Sequence, residues 1–304
     1  MSGLLDQVSK YVIYTVVVGG YDEIRQPAEV DDRFDYVLFS DERVGEYVGV
    51  WEVRAIPFEG TTPFLLSRYV KCLPAKVLAE YEASLYVDAN VRILTSWVYN
   101  RFVELVGRGV EWAGVRHPDQ QCVYDEMCAI VQLRWVLDSE VAGWYGKIKN
   151  DGFPGKYGLY ENNVIFRCHT KTVERVGELW WWTLEIDCKR DQFSLMYALW
   201  RVLPTMDFFL LNGECPRIGS KHFAYYEHNP HKRVRKLGFH EMMRYRIIRT
   251  KYTDNIRKGY KEMFDWVSRF RYPKAALFLW EIIFVVRYAP KMIVNSVQQR
   301  ITRS

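Results

Sequence analysis

The stretch Ala83-Ser-Leu-Tyr-Val-Asp-Ala-Asn-Val-Arg-Ile93 decides the fold. Its first half, Leu85 to Val87, is apolar and β-prone, which is typical of a buried strand. Asp88 and Asn90 follow at the strand's exit, and residues i and i+2 of an extended chain point to the same side. We therefore expect these two side chains to share one divalent cation, because hard cations take oxygen ligands. The alternative is a turn, which both residue types favour.

Further strands and helices alternate around this stretch. The patterns predict strands at Tyr11–Val18, Asp35–Asp41, Trp51–Ile56, Glu111–Val115, Leu159–Arg167 and Asp207–Leu211, and helices at Pro63–Tyr81, Ser96–Val106 and Thr172–Leu203. Such alternation implies an α/β fold with a mostly parallel sheet that helices cover on both faces. Ligands of these sheets bind beyond the carboxyl ends of the strands. We expect a site there, formed by Gly19, Tyr21, Asp22, Asp41, Asp88, Asn90 and His117.

The composition is that of a globular protein with one large domain, or with one domain and an appendage. The chain has 304 residues, of which 49% are hydrophobic and 26% are charged. Its six cysteines form no CxxC pair and no zinc spacing, which favours reduced thiols in a cytosolic protein. The sequence shows no signal peptide and no apolar run of about 20 residues that would span a membrane.

Charge is distributed unevenly along the chain. From Lys232 to the end there are 18 Lys or Arg residues and 5 Asp or Glu residues, whereas residues 1–231 hold 24 basic and 32 acidic residues. We therefore predict a catalytic or binding domain over 1–231 and a basic, aromatic tail over 232–304. A tail of this kind binds phosphate on lipid or nucleic acid. Because no nucleic-acid-reading motif is present, an anionic membrane surface is the expected partner.

The tail also has apolar periodicity. Apolar residues recur every three or four positions from Tyr245 to Phe270, which predicts one amphipathic helix. The following run, Ala275–Ala289, is interrupted by Glu281 and Arg287, so it is too charged to span a bilayer but is typical of a helix in the membrane interface. Packing of these helices on the body or on a second subunit, in a homo-oligomer, is the alternative.

An ordered set of motifs points to a family. The set comprises Tyr11–Val18 with Gly-Gly-Tyr-Asp, Tyr36–Asp41, Leu66–Lys71, Tyr86–Asn90, Arg116–Pro118, Glu161–Asn163 and Arg190–Gln192. Over residues 10–225 the chain resembles the glycosyltransferase-like family that includes the plant turgor-regulation-defect and mucilage-related proteins and bacterial proteins of surface-polysaccharide loci. More distantly it is similar to the GT-A glycosyltransferases of the glycogenin kind. The resemblance implies a GT-A (Rossmann-like) fold, a UDP-sugar donor and usually manganese.

The resemblance also implies roles for individual residues in donor binding. Asp88 and Asn90 match the DxD-type site for Mn²⁺ or Mg²⁺, although Asn90 departs from the usual second acidic residue. The turn from Val18 through Gly19 and Tyr21 to Asp22 corresponds to the loop that binds the donor base. Asp41 would help to read the uracil or ribose, or would cap a turn. Arg68 and Lys71 would reach the donor phosphates; a solvated helix face is the alternative.

Other residues would complete the metal site and carry the reaction. The expected third metal ligand is His222, with His228 and His231 as other candidates. Asp191 would be the general base of an inverting enzyme or would stabilise positive charge in a retaining one; Asp187 is the second candidate, and an N-cap is the alternative role of Asp191. His117, Asn162 and Asn163 would bind the acceptor or the donor sugar through hydroxyl groups.

The expected function is therefore metal-dependent transfer of a sugar from a UDP-sugar to a surface glycan or a lipid-linked saccharide, at the inner face of a membrane. The main alternative is a binding module that has kept the fold but lost catalytic activity, which the replacement of the second acidic residue by Asn90 would indicate. A nicotinamide enzyme is suggested by Val16–Gly20, but this run lacks the G-x-G-x-x-G spacing. The sequence does not give the sugar, the linkage or the stereochemistry.

Overall fold

The structure is a computed structural model that describes residues 10–42, 45–60, 62–186, 188, 190–203, 214–227 and 236–301, the last seven of these by their backbone alone. The chain forms two compact units. The first unit comprises Met1–Asp119 and Gly158–His231, and the second comprises Gln120–Tyr157 and Lys232–Ser304. The second unit thus resumes at the residue where the charge balance changes sign. It also includes residues 120–157, which the sequence did not separate from the body.

The described strands form one seven-stranded sheet and one separate pair. They are β1 (Tyr11–Val17), β2 (Phe34–Ser40), β3 (Tyr47–Val48), β4 (Trp51–Ala55), β5 (Ala83–Val87), β6 (Val91–Ile93), β7 (Trp112–Arg116), β8 (Tyr160–Cys168) and β9 (Phe223–Tyr225). The large sheet has the order β3-β4-β2-β1-β5-β8-β7, and β6 pairs with β9. Strands β4, β2, β1 and β5 are parallel, while β3 and β8 are antiparallel to their neighbours. The predicted α/β fold with a mostly parallel sheet is confirmed.

Ten α-helices occur in the described parts of the chain. They are α1 (Pro63–Cys72), α2 (Pro74–Val77), α3 (Trp97–Gly107), α4 (Val123–Gln132), α5 (Asp138–Asn150), α6 (Lys171–Ile186), α7 (Asp191–Val202), α8 (Phe239–Lys251), α9 (Ile256–Val267) and α10 (Pro273–Ile301). The prediction of one helix over Pro63–Tyr81 is wrong, because Pro74 has no N–H with which to continue α1. The single helix predicted over Thr172–Leu203 is likewise two helices, α6 and α7. The strand predicted at Asp207–Leu211 lies outside the described residues.

Helices cover both faces of the large sheet. On one face, Ile13, Leu85 and Phe166 pack in a common core with Tyr99 and Phe102 of α3. Helices α1, α6 and α7 lie on the other face, where α1 contacts β1 and α7 contacts β8. Burial of these large side chains is the main force that holds the layers together.

The end of α1 is anchored in the core of the first unit. Arg167 of β8 is fully buried, donates from Nη1 to the carbonyl oxygen of Lys71 at 2.7 Å and donates from Nη2 to the hydroxyl of Tyr14. Gly177 of α6 packs directly against the carbonyl oxygen of Cys72. The turn of α1 that carries Lys71 is therefore fixed from two sides.

We predict that Gly177→Ala destabilises the chain. A Cβ at this position would overlap the carbonyl oxygen of Cys72, which is backbone and cannot rotate away. Overpacking of this kind costs roughly 1–3 kcal/mol, which outweighs the gain of up to about 1 kcal/mol that alanine brings to a helix interior.

The matched control is Gly107→Ala in α3, where a new Cβ would meet no atom within 4 Å. Urea unfolding followed by circular dichroism measures both changes in the free energy of unfolding. A Gly177→Ala variant as stable as the Gly107→Ala variant would contradict the close packing of α1 on α6.

The second unit is built from α4, α5, α8, α9 and α10, which pack on one another. Arg244 of α8 is buried and pairs with Asp138 of α5 at 2.8 Å and with Glu281 of α10 at 3.2 Å.

The prediction of a single helix from Tyr245 to Phe270 is wrong, because the side chain of Asn255 caps a new helix, α9. Among the described residues, no helix is both long and apolar enough to cross a membrane.

Candidate functional site

The carboxyl ends of β1, β2, β5 and β7 lie at one edge of the large sheet, together with the start of β8. At this edge the backbone N–H of Gly19 donates to the carboxylate of Asp41, at 3.0 Å from Oδ1 and 3.2 Å from Oδ2. Gly19 and Gly20 have φ angles of 63° and 59°, a conformation that favours glycine. Asp41 thus caps the turn that follows β1, which is the alternative role that the sequence allowed.

The same turn reaches α1. The Tyr21 N–H donates to the carbonyl oxygen of Val18 at 3.4 Å, and the Tyr21 side chain is half exposed. Partial burial and the charge of Asp22 raise the pKa of Tyr21, while the charge of Arg68 acts in the opposite direction. The proposed donor-base loop and the first of the two α1 cations are therefore neighbours.

Four charged side chains form a compact group at this edge, which we call the charge cluster: Arg68, Lys71, Asp88 and Asp191. The Lys71 Nζ lies 3.2 Å from Asp88 Oδ1 and 3.6 Å from Asp191 Oδ2. The Arg68 Nε lies 3.2 Å from Asp191 Oδ2. The Lys71 side chain is only 2% exposed, whereas that of Asp88 is 29% exposed. The cluster balances two positive against two negative charges, and it opens to solvent on the side of Asp88 and Arg68.

Local structure explains why these four residues meet. Arg68 and Lys71 lie three positions apart, on one face of α1. Asp88 follows the last residue of β5, and Asp191 is the first residue of α7, where the positive end of the helix dipole favours a carboxylate. The indole N–H of Trp180 donates to the carbonyl oxygen of Asp191 at 3.1 Å and fixes the start of α7.

The charge cluster controls the acidity of Asp191. Burial by itself would raise the pKa of this carboxyl, but the positive charges of Arg68, Lys71 and Arg190 and a hydrogen bond from the backbone of Gln192 more than compensate. As a result, the pKa of Asp191 lies well below its usual value. Asp191 is therefore ionised and is a weak base as long as the cations stay beside it.

Asp88 begins a turn rather than continuing the strand. The N–H of Val91 donates to the carbonyl oxygen of Asp88 at 2.8 Å, so the prediction of an extended chain from Asp88 to Asn90 is wrong. Two donors, the hydroxyl of Tyr86 at 2.7 Å and the ammonium of Lys71, contact Oδ1 of Asp88. The Asn90 side chain is buried, and its Nδ2 donates to the carbonyl oxygen of Tyr226 at 2.7 Å.

The strand register does not bring His222 to these two residues. In the β6–β9 pair, the N–H of Leu94 donates to the carbonyl oxygen of His222, whereas the N–H of Tyr226 donates to the carbonyl oxygen of Asn90. Four residues of extended chain correspond to about 13 Å. The Nδ1 of His222 instead hydrogen-bonds the hydroxyl of Thr95 at 2.8 Å.

The described residues contain no group of three or more His, Cys, Asp or Glu side chains that is able to hold a metal ion. His228, His231 and Asp187 lie outside the described residues. Asp88 and Asn90 can therefore supply at most part of a coordination shell.

The two adjacent amides, Asn162 and Asn163, lie beside Asp88. The N–H of Asp88 donates to the carbonyl oxygen of Asn163 at 2.8 Å, which makes these residues cross-strand neighbours. The β7–β8 register shifts here, because Gly114 pairs with Ile165 but Val115 pairs with Glu161. Residues 162–164 thus form a bulge, and bulges often re-aim side chains next to active sites.

Both asparagine side chains are buried, with 4% of Asn162 and 3% of Asn163 exposed. Neither the oxygen nor the nitrogen of either amide has a hydrogen-bond partner among the described residues. Leaving a buried polar group without a partner costs about 1–3 kcal/mol, so such groups call for a ligand or a bound water. We interpret the pair as a polar subsite beside Asp88.

His117 extends this edge at the end of β7. Its Nδ1 accepts from the N–H of Asp119 at 3.2 Å, which leaves the proton on Nε2, 3.5 Å from Glu161 Oε2. Burial, together with the charge of Arg217, lowers the pKa of His117 to about 4. His117 is therefore a neutral hydrogen-bonding group at pH 7. Arg217 in turn pairs with Glu161 at 2.7 Å and with Asp119 at 2.9 Å.

Tyr225 links the two parts of the edge. Burial raises the pKa of Tyr225, whose hydroxyl forms a hydrogen bond with the Asn90 side chain. The charges of Arg217, Glu161 and Asp88 also act on this pKa. Sequence reasoning missed Glu161, Arg217 and Tyr225 as site residues. Glu161 carried a signal, since it directly precedes the paired asparagines at the start of a strand.

No family model and no curated protein matches the sequence of this chain. Among solved structures, the apo structure of the WbbM bifunctional glycosyltransferase matches with a TM-score of 0.38 and 10% sequence identity. The match covers 69% of this chain and 40% of that chain. The matched part of this chain thus spans less than half of the length of that bifunctional protein.

Proposed function

We propose that this chain is a glycosyltransferase that takes a sugar from a UDP-sugar and transfers it to a hydroxyl of a surface glycan or of a lipid-linked saccharide. The observation that carries the proposal is the charge cluster, in which two buried or half-buried cations stand at the carboxyl edge of a parallel sheet. Nucleotides bind at this edge in α/β folds. The ordered motifs of the sequence support the same assignment.

The cations of the cluster suit a diphosphate. A guanidinium binds phosphate oxygens in a fork, and an ammonium binds them as a point charge. In the structure, Arg68 and Lys71 are directed to Asp191 and Asp88 instead. Donor binding would exchange these internal ion pairs for contacts with phosphate, and the two cations already stand at the edge where the diphosphate would bind.

A divalent cation fits this arrangement in part. Asp88 is partly exposed and uses its Oδ1 for Tyr86 and Lys71, while Asn90 is an uncharged amide. The charge cluster is neutral in itself, so an entering diphosphate adds negative charge that Mn²⁺ or Mg²⁺ would balance. Asp88 and Asn90 would hold the ion together with oxygens of the donor. When bound, it would stabilise the charge on the leaving diphosphate.

We therefore expect Mn²⁺ to bind weakly by itself and to tighten the binding of UDP. Isothermal titration calorimetry of UDP with and without Mn²⁺ measures this coupling. The coupling should disappear in Asp88→Ala and persist in the control His222→Ala, because the strand register separates His222 from the site. UDP affinity that does not change with Mn²⁺ in the unmodified chain would contradict the metal proposal.

Asp191 has two roles that the same geometry supports. In an inverting enzyme it would take the proton of the acceptor hydroxyl, and in a retaining enzyme it would stabilise the positive charge that develops on the sugar. Its pKa is held low by Arg68 and Lys71. If the diphosphate draws these cations away, the pKa of Asp191 rises toward the range of a useful base. Binding of the donor would then activate Asp191 as the base.

The sugar would be recognised beside Asp88. The amides of Asn162 and Asn163 can each both donate and accept a hydrogen bond, which suits sugar hydroxyls. His117 would contribute as a neutral imidazole held by Glu161. These three residues therefore form the proposed acceptor or donor-sugar subsite.

The test of the function is the release of UDP from a panel of UDP-sugars, compared between the unmodified chain and Asp191→Asn. We expect Asp191→Asn to lower kcat by about 10²–10⁴ while UDP affinity stays equal or increases, because the variant removes an internal competitor for Arg68 and Lys71. The control is Asp32→Asn, an exposed carboxyl of the first unit, which should change neither quantity.

Two outcomes would contradict the proposal. Loss of UDP affinity in Asp191→Asn would show that this residue only holds the site together. UDP binding without any turnover of the panel would instead favour a binding module, a reading that the uncharged Asn90 and the weak basicity of Asp191 also support.

A further inference from the structure

Helix α10 is apolar on two sides. One side packs within the second unit, where Ala276, Leu277 and Trp280 are buried. The other side faces solvent, and its apolar residues recur at spacings of three or four positions from Phe278 to Val286. We call this side the outer stripe; its members, between 43% and 75% exposed, are Phe278, Leu279, Ile282, Ile283, Val286, Ile293 and Val294.

The outer stripe is unusual for a helix that already packs on a core. A helix at the surface of a globular unit normally presents polar residues to water on its outer side. Contiguous exposed apolar surface in a folded protein marks a site of interaction with another protein or with a membrane. The inner side of α10 already packs on the core of the second unit, so packing within this unit does not account for the apolar residues of the outer stripe.

Positive charge borders the outer stripe. Arg287 and Lys291 lie on α10 itself and are exposed. The last turn of α8, with the exposed Arg249 and Lys251, is close to the same part of α10, since Thr250 lines a surface cavity of about 360 Å³ with Pro290, Lys291 and Val294. From Lys232 onward, basic residues exceed acidic ones by 13.

The partner of the outer stripe must match both its apolar residues and the positive charge beside it. A second copy of the chain would cover the apolar residues but would bring the same positive charge close to itself. A nucleic acid would neutralise the charge but would leave the apolar stripe in water. An anionic bilayer satisfies both, because the apolar side chains enter the boundary of the acyl chains while Lys and Arg meet the headgroup phosphates.

We propose that the outer stripe of α10 docks the chain on an anionic membrane surface, with the helix lying in the plane of the interface. This inference does not depend on glycosyl transfer, and it places no constraint on the position of the first unit. Helix α10 adsorbs and does not span, since no described helix is able to cross a membrane.

Sedimentation of the full chain with vesicles tests the proposal. The chain should pellet with phosphatidylcholine vesicles that contain phosphatidylglycerol and should stay in the supernatant with phosphatidylcholine alone. Binding should weaken as salt increases, because the screening length falls from about 10 Å at 0.1 M to about 3 Å at 1 M. A chain that stays in the supernatant with the anionic vesicles would overturn the proposal.

The double variant Ile282→Ser with Val286→Ser tests the apolar contribution. We expect vesicle affinity to fall at least tenfold, because two side chains lose their burial in the acyl region. The matched control is Val30→Ser with Tyr47→Ser, which changes exposed apolar residues of the first unit, 57% and 64% exposed. Equal affinity of the two double variants would overturn the assignment to α10.

Charge reversal tests the electrostatic contribution. Arg287→Glu with Lys291→Glu should weaken binding to anionic vesicles by roughly tenfold or more, since each cation near an anionic leaflet contributes about fivefold in affinity. Lys171→Glu with Arg175→Glu makes the same change of net charge on α6, in the first unit, and should leave most of the binding in place. If both double variants lose the same vesicle affinity, the effect comes from net charge alone, and the proposal of a docking face on α10 is overturned.

One further result would reassign the surface. If Ile282→Ser with Val286→Ser abolishes a dimer seen by analytical ultracentrifugation, and the unmodified chain ignores the vesicles, the outer stripe is the interface of a homodimer. All variants sit at exposed positions, and circular dichroism confirms that each one folds before it is compared.

Discussion

The ammonium of Lys71, shared between the carboxylates of Asp88 and Asp191, is the interaction on which the site depends. A lysine that is 2% exposed is stable as a cation only if opposite charges compensate its lost hydration. Removing one partner from a buried ion pair typically costs about 3–5 kcal/mol. Lys71 therefore ties α1, the end of β5 and the start of α7 to one another at the edge of the sheet.

The same interaction sets the chemistry that the site supports. Two carboxylates close together repel each other, and the cations beside them offset this repulsion and hold the pKa of Asp191 well below its usual value. This makes the resting cluster stable but leaves Asp191 a poor base. A ligand that competes for Arg68 and Lys71 changes that balance, and a diphosphate competes for cations more strongly than most ligands do. The proposed mechanism thus follows from an exchange of partners within the cluster rather than from a large movement of the fold.

The sequence was sufficient for the longer strands of the large sheet and for the edge where the candidate site lies, because buried parallel strands are continuous apolar runs and their ends carry polar residues. It also identified Arg68, Lys71, Asp88 and Asp191 one by one. Their pairing could not be read from the sequence, since Asp191 lies more than a hundred residues from both Lys71 and Asp88. The register that separates His222 from Asn90 is a tertiary feature of the same kind. Local chemistry accounts for the helix break at Pro74, whose signal was present but was outweighed by apolar periodicity.

The central claim is that the internal ion pairs of the cluster give way to the donor diphosphate. A double-mutant cycle of Lys71→Met and Asp191→Asn, measured by urea unfolding with and without saturating UDP, tests it most directly. We predict a coupling free energy of about 1–3 kcal/mol without UDP that falls by more than half when UDP is bound. A coupling that is absent without UDP, or that UDP leaves unchanged, would contradict the account.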